Sequence, residues 1–202
     1  MKAKLKEGRA FSGKKASIAA PDNDFRLQTR REFIAATSAL LVAPAFAQDN
    51  LDAPNVVPIS DLLVTAGQPT ASALAGLSKH GFKSVIYLAP PSVDSAVKDE
   101  PALLARQSIA YHNIPIPFGA PEAKHFDAFV AVMRKFEKQK LLVHCEVNMR
   151  ASCMTFLYRT LVLKERPEVA YEAVAKVWSP RYAWKPFLEA QLKAHGVAFE
   201  IY

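Results

Sequence analysis

The stretch Leu141-Leu142-Val143-His144-Cys145-Glu146-Val147-Asn148-Met149-Arg150-Ala151-Ser152 decides the fold. Its short apolar run, which ends at His144, predicts a buried strand, and the residues after Arg150 follow a helical pattern. Backbone N–H groups of a tight loop and of a helix N-terminus point at one spot and favour an anion there. The same field favours a thiolate, so Cys145 is a candidate nucleophile. The planar guanidinium of Arg150 can hold two oxygens of a phosphate-like group.

This stretch resembles the signature of cysteine-dependent protein phosphatases, His-Cys-(five residues)-Arg-Ser/Thr. Only four residues, Glu146, Val147, Asn148 and Met149, separate the cysteine from the arginine here. In one alignment the loop has lost a residue and Arg150 keeps the phosphate-binding role. In the other alignment Ser152 matches the Ser/Thr of the family and Ala151 stands where the arginine should be. The usual loop glycine is Asn148, which tolerates a left-handed backbone better than most residues.

A four-residue spacing also occurs in rhodanese-type sulfurtransferases and in the phosphatase-like domain of bacterial beta-lactamase-hydrolase-like proteins. The resemblance to the second group is wider than the loop. It includes a turn at Thr65-Ala66-Gly67-Gln68-Pro69-Thr70, a strand at Gly81-Phe82-Lys83-Ser84-Val85-Ile86-Tyr87-Leu88, and the segment Ile114-Pro115-Ile116. It runs from about Ser60 to Ser152 and implies a dual-specificity-phosphatase-like α/β fold.

The resemblance implies a role for each residue of the site. Cys145 is the nucleophile and Arg150 the anion clamp. The substrate-binding positions are the four loop residues Glu146, Val147, Asn148 and Met149, with Ser152 and His144 beside them. In the family the histidine acts through loop structure rather than as a proton acceptor.

The resemblance does not identify the residue that would donate a proton to the leaving group. The family carries an aspartate about thirty residues before the cysteine, and the matching segment, residues 113–122, contains none. Glu122 is the best candidate for this general acid. An acid at the start of a helix is also ordinary pairing with the helix dipole, so the structural interpretation of Glu122 stays open.

Three functions remain open. The first is phosphate-ester hydrolysis through a phosphocysteine, on a small-molecule or protein phosphate substrate. The second is sulfur transfer through a Cys145 persulfide, which needs no proton donor. The third is a catalytically inactive anion- or protein-binding module. We expect no cofactor and no metal, because the five histidines are scattered without ligand spacing.

The N-terminal residues predict export. Thr29-Arg30-Arg31-Glu32-Phe33 resembles the twin-arginine motif, an apolar run follows, and Ala45-Phe46-Ala47 is typical of a cleavage site. The run is shorter than the ~20 residues that span a bilayer, so we expect a signal peptide over residues 1–47, no membrane attachment after cleavage, and a periplasmic or secreted location.

The charge pattern agrees with that division of the chain. Residues 1–47 hold nine Lys/Arg and four Asp/Glu, whereas residues 48–202 hold seventeen and fifteen. The nearly neutral remainder argues against a nucleic-acid partner, and the oligomeric state stays open.

Residues 48–202 predict a single phosphatase-like domain with alternating strands and helices. Strands are expected over 62–66, 83–88, 109–116 and 140–144, with a last short strand or extended tail over 197–201. Helices are expected over 71–80, 100–108, 121–138, 151–163, 168–178 and 184–194. This order predicts a mainly parallel central sheet flanked by helices. Cys153 is expected to be a small buried residue, or else a thiol that protects Cys145.

Overall fold

A five-stranded sheet forms the centre of the molecule in the computed structural model, which describes residues 51–202. The strands are β1 (Val57–Ser60), β2 (Leu63–Ala66), β3 (Phe82–Tyr87), β4 (Ala110–Asn113) and β5 (Lys140–His144). Their spatial order is β1-β2-β5-β3-β4, and only β1 runs antiparallel to its neighbour. The predicted mainly parallel α/β fold is confirmed.

Within residues 51–202, six α-helices cover the sheet: α1 (Ala71–Ala75), α2 (Glu100–Ala105), α3 (Ala123–Lys135), α4 (Met149–Leu157), α5 (Pro167–Ala175) and α6 (Trp184–Ala194). A 3₁₀ turn (Leu77–His80) follows α1, and a π turn (Tyr158–Val162) extends α4. Thr70 caps the N-terminus of α1, since its hydroxyl accepts the Ala73 N–H at 3.2 Å. Gly81 ends the 3₁₀ turn with φ of 84°, a left-handed conformation that favours glycine.

Strand β5 lies in the middle of the sheet because both of its faces are apolar. Leu141 and Val143 belong to the larger hydrophobic cluster, which contains Phe129 of α3 and Met154 of α4. Leu142 belongs to the opposite cluster, which includes side chains of α1 and α2. Burial on both faces is the usual condition of a central parallel strand, and it fixes the position at which the chain leaves β5 and enters the cysteine loop.

Several predicted boundaries differ from the structure, and the strand expected over 109–116, for example, is β4 and ends at Asn113. The helix expected from Pro121 begins at Ala123, and Glu122 is its N-cap residue. Residues 197–201, expected to form a short strand or an extended tail, form no strand. Instead, Ile201 is buried in the larger cluster and the Tyr171 hydroxyl donates to the Tyr202 carbonyl at 2.6 Å, so this segment packs by its side chains rather than by strand pairing.

The expected export signal lies outside the residues that the structure describes. Between residues 51 and 202, no helix combines the length and apolar character that crossing a bilayer requires.

Candidate active site

The cysteine loop starts at the carboxyl end of β5, between the ends of β2 and β3. Cys145 is the first residue after the strand, and its N–H donates to the Ala66 carbonyl of β2 at 3.3 Å. In open parallel sheets this edge is where ligands bind. The whole Cys145 residue has 0% exposure, so the candidate nucleophile is covered in this conformation.

The turn after β2 supports the loop from one side. The Gln68 N–H donates to the Glu146 carbonyl at 3.0 Å, and Gly67 forms an isolated bridge with Val147. A Cβ at Gly67 would lie 2.8 Å from the Glu146 carbonyl oxygen and 2.8 Å from Pro54 Cβ. Only glycine allows this close approach, which explains why the turn and the loop fit together.

Asn148 turns the chain from the loop into α4. Its φ of 70° and ψ of 0° are left-handed, as expected for the residue that replaces the family's glycine. Its side-chain amide donates to the Asn55 carbonyl at 2.6 Å and to Thr65 Oγ1 at 3.1 Å. The side chain therefore holds the strained turn in place, and its contacts tie the loop to β2 and to the segment that precedes β1.

Arg150, in the first turn of α4, points its guanidinium back to the loop. Its Nη1 donates to Glu146 Oε2 at 2.8 Å and its Nε to the Ile116 carbonyl at 2.9 Å. The guanidinium also lies over the Phe118 ring, 5.0 Å from its centroid. The arginine is only 3% exposed, so this geometry places the expected anion clamp within the site rather than outside it.

The remaining loop residues have structural contacts as well. Ser152 donates its hydroxyl to the Met149 carbonyl at 3.1 Å, while its N–H donates to the Asn148 carbonyl at 2.9 Å. Val147 is 40% exposed and offers apolar surface at the rim of the loop. The structure thus assembles all the loop positions that the sequence predicted, and their substrate-binding roles stay predictions.

His144 belongs to a buried chain of hydrogen bonds. Its Nε2 lies 2.7 Å from Glu100 Oε1, and the other carboxylate oxygen of Glu100 accepts from Gln68 Nε2 at 3.0 Å. The Tyr87 ring stacks on the imidazole with 4.8 Å between the centroids. This arrangement fixes the orientation of the imidazole next to Cys145, as expected for a residue that acts through loop structure.

The pKa of Tyr87 depends on the charged groups around the site. Burial raises the pKa of Tyr87 to about 12, and the charges of Glu100, Glu146 and Cys145 add to this rise, whereas Arg150 lowers it. Glu100, Glu146 and Arg150 therefore all lie close enough to this buried phenol to influence its pKa.

Glu122 lies at the start of α3, where its ion pair with Lys124 has an oxygen–nitrogen distance of 2.9 Å. Its backbone N–H donates to His125 Nδ1 at 3.0 Å. The hydrogen bond from Lys124 lowers the pKa of the Glu122 carboxyl, whereas a general acid needs to hold its proton. The surroundings of Glu122 favour the structural interpretation, and its catalytic role stays a prediction.

Both cysteines are free and buried. Burial raises the pKa of the Cys153 thiol well above its ordinary value, in line with the expected small apolar residue of α4. Among residues 51–202 there is no group of three or more His, Cys, Asp or Glu side chains that could hold a metal ion.

Sequence reasoning missed three partners of the site: Glu100, Gln68 and Phe118. Gln68 stood in the turn that resembles the phosphatase-like group, which was a usable signal. Phe118 packs between Arg150, Trp178 and Trp184, and its carbonyl accepts from Trp184 Nε1 at 2.9 Å. No spacing rule connects Phe118 or Glu100 to the cysteine loop.

Comparison with known proteins places this geometry in a family. Residues 52–180 match the family model described as "DSP-PTPase phosphatase fused to NAD+ Kinase". No curated protein is similar enough in sequence to count as a match.

Solved structures share the same fold. A DUF442 protein from Shewanella putrefaciens CN-32, described as a candidate phosphatase, is 26% identical with a TM-score of 0.66, and the match covers 71% of this chain and 92% of that one. The core catalytic domain of the PP-IP phosphatase SIW14 from S. cerevisiae is 14% identical with a TM-score of 0.57, covering 69% and 86%. P. aeruginosa TpbA, solved with phosphotyrosine, is 17% identical with a TM-score of 0.54, covering 78% and 99%. The last two similarities concern the fold alone.

Proposed function

This chain belongs to the phosphatase family described as DSP-PTPase fused to NAD+ kinase, and we propose that it hydrolyses phosphate esters through a phosphocysteine on Cys145. The observation that carries the proposal is the position of Arg150. Its guanidinium is buried and bonded within the loop that starts at Cys145. An arginine directed away from the loop would instead have favoured an inactive binding module.

The proposed reaction has two steps. Cys145 Sγ attacks the phosphorus atom, the S–P bond forms, and the bond from phosphorus to the ester oxygen breaks. Water then attacks the phosphocysteine, which releases inorganic phosphate and regenerates the thiolate. Loop N–H groups, the N-terminus of α4 and Arg150 stabilise the charge on the phosphoryl oxygens.

The leaving oxygen needs a proton unless it is a stable anion. Glu122 is the proposed donor, but its carboxyl has a lowered pKa and an ion pair with Lys124. We therefore expect a strong preference for phenyl esters with acidic phenols, since their phenoxides leave without help. Rates that do not change with the acidity of the phenol would contradict this expectation and favour an efficient acid.

The deciding experiment measures phosphate release from an aryl phosphate by the full chain, Cys145→Ser, Arg150→Ala and Cys153→Ala. Loss of activity in the first two variants, with Cys153→Ala retaining it, is the expected result. Cys153 is the matched control because it is a second buried thiol, in α4, that the proposed reaction does not use.

Sulfur transfer is the second candidate, because four residues separate Cys145 from Arg150, as in rhodanese-type loops. Thiocyanate formation from thiosulfate and cyanide is measured on the same four proteins. Cys145-dependent thiocyanate without phosphate release would replace the phosphatase proposal with sulfur transfer. If neither phosphate nor thiocyanate is formed, both proposed reactions are contradicted and a binding module is the remaining function.

The proposal includes export through the twin-arginine route, which is supported by the sequence of residues 29–47. Arg30→Lys combined with Arg31→Lys should leave the full-length chain in the cytoplasm, whereas the wild type should accumulate in the periplasm in its shortened form. The mass of the exported chain should place the new N-terminus at Gln48. Unchanged export by the double variant would contradict this route.

A further inference from the structure

The arginine that is proposed to bind the substrate already holds an anion. Arg150 Nη1 donates to Glu146 Oε2 at 2.8 Å, and its Nε donates to the Ile116 carbonyl at 2.9 Å. One face of the guanidinium lies on the Phe118 ring. The Nε contact and the ring contact fix the orientation of the guanidinium. The contact with Glu146 occupies one of the donors that a phosphoryl group would use.

Glu146 can leave this position without unfolding the loop. Its carbonyl is held by the Gln68 N–H at 3.0 Å and the next carbonyl, that of Val147, by Asn55 Nδ2 at 3.0 Å. Its side chain, by contrast, is 34% exposed, whereas that of Arg150 is 4% exposed. A rotation of the Glu146 side chain toward solvent therefore frees the arginine while the backbone of the loop stays in place.

From this geometry we propose that the Glu146 carboxylate competes with the phosphoryl group of the substrate for Arg150, and thereby sets the affinity of the site for phosphate. The inference rests on the proposed function, because it assumes that Arg150 is the phosphate clamp. A bound phosphate must replace the charge-assisted hydrogen bond from Glu146, and the displaced carboxylate stays within one residue of Cys145 and repels the incoming dianion. Glu146 is thus a specificity-determining residue that acts against tight binding of small phosphates.

The test is binding of inorganic phosphate to the full chain carrying Cys145→Ser, which separates affinity from catalysis. Isothermal titration calorimetry gives the dissociation constant for this parent protein and for the same protein with Glu146→Gln. The amide keeps the size of the side chain but removes its charge, so we expect phosphate to bind roughly tenfold more tightly. Glu146→Ala, which removes the competing oxygen as well, should bind phosphate at least as tightly as Glu146→Gln.

Glu165→Gln is the matched control. Glu165 also pairs with an arginine, Arg159, at 2.6 and 2.8 Å, but this pair lies beyond α4 and away from the loop. Arg159 follows Arg150 by about 13 Å along the helix, at about 1.5 Å per residue, and exposed charges farther apart than the screening length of about 8–10 Å interact weakly. Removal of the Glu165 charge should therefore change the phosphate dissociation constant by less than about twofold. An equal gain in both variants would overturn the proposal, because a general change in charge would then explain the effect.

Arg150→Ala in the Cys145→Ser protein separates this proposal from the proposed function. Loss of phosphate binding in Arg150→Ala, together with a tighter complex in Glu146→Gln and Glu146→Ala, supports the competition. If Arg150→Ala loses binding but the two Glu146 variants bind as the parent does, or more weakly, the competition is wrong and the clamp stands. If Arg150→Ala binds phosphate as tightly as the parent, the clamp itself is wrong.

Discussion

Replacement of Glu100 should destabilise the protein more than replacement of any exposed acid. Glu100 is 2% exposed, and its two carboxylate oxygens bond His144 Nε2 at 2.7 Å and Gln68 Nε2 at 3.0 Å. Glu100→Ala leaves His144 Nε2 without this partner and leaves Gln68 Nε2 with only a long bond to the Pro69 carbonyl, at 3.4 Å. Glu100→Gln keeps the shape and one acceptor, but its amide nitrogen would face the nitrogen of Gln68 unless the Gln68 amide turns over.

The magnitude follows from the two lost bonds. An unpaired buried polar group costs about 1–3 kcal/mol, and a hydrogen bond to a carboxylate contributes about 1.5–3 kcal/mol. We therefore expect Glu100→Ala to lower the free energy of unfolding by about 4 kcal/mol. For Glu100→Gln we expect a loss of about 1–2 kcal/mol, since a charged hydrogen bond is replaced by a neutral one.

Urea unfolding followed by tryptophan fluorescence measures both losses. With a slope of about 2 kcal/mol/M, Glu100→Ala should move the midpoint down by about 2 M and Glu100→Gln by less than about 1 M. Glu168→Ala is the matched control, because Glu168 also lies in the first turn of a helix beside a proline but is exposed. Glu168→Ala should lower the free energy of unfolding by less than about 1 kcal/mol. Equal midpoints for Glu100→Ala and Glu168→Ala would refute the buried chain of hydrogen bonds.

Three further outcomes follow from the same contacts. Gly67→Ala should abolish Cys145-dependent activity, because its Cβ would press on the Glu146 carbonyl at 2.8 Å; full activity would show that the loop shifts freely. In urea unfolding, Asn148→Ala should lower the free energy of unfolding by about 2–3 kcal/mol and Asn148→Gly by about 1 kcal/mol. Both variants lose two hydrogen bonds, but glycine adopts the positive φ without strain. A larger loss for Asn148→Gly than for Asn148→Ala would contradict this reasoning. Burial raises the pKa of Tyr87 to about 12, above about 10 in the unfolded chain. The stability that the protonated phenol adds to the folded state is therefore complete below about pH 10 and is lost as the pH rises through about 12. Tyr87→Phe should reduce the fall in unfolding free energy over that range, and an unchanged slope would speak against the buried phenol.

The centre of the fold could be predicted because its signals are local. The apolar run before His144 and the turn at Asn148 are each contained in a few consecutive residues, and both elements form where the sequence placed them. The strand order could not be predicted in the same way. The pairing of β2 with β5 joins Leu63 to Leu141, and no local pattern encodes a partner so distant along the chain.

Glu100 shows why part of the site was missed. An acid directly before Pro101 at a helix start looks like ordinary dipole pairing. Its burial depends on His144, which lies 44 positions later in the chain. The ion pair of Glu146 with Arg150 was not predicted either, because the resemblance presented Glu146 only as a substrate-binding position of the loop. Its spacing of four residues from Arg150 was a signal for an ion pair, although Glu146 precedes the helix.

If Glu146 competes for Arg150 as proposed, the pairing of these two residues limits which substrates the site can use. Arg150 is paired with Glu146 and Cys145 is buried, so a phosphate ester that binds Arg150 in the proposed reaction has to replace Glu146 there. When inorganic phosphate replaces Glu146 at Arg150, only its charge contributes to binding. A larger ester also brings contacts to groups at the rim such as Val147, and binding energy from parts of a substrate that do not react can be used to open a site. Under the proposed competition, the pairing of Glu146 with Arg150 would favour substrates that are recognised beyond their phosphoryl group, and this selection would be a physical reason for a phosphatase loop to contain a carboxylate.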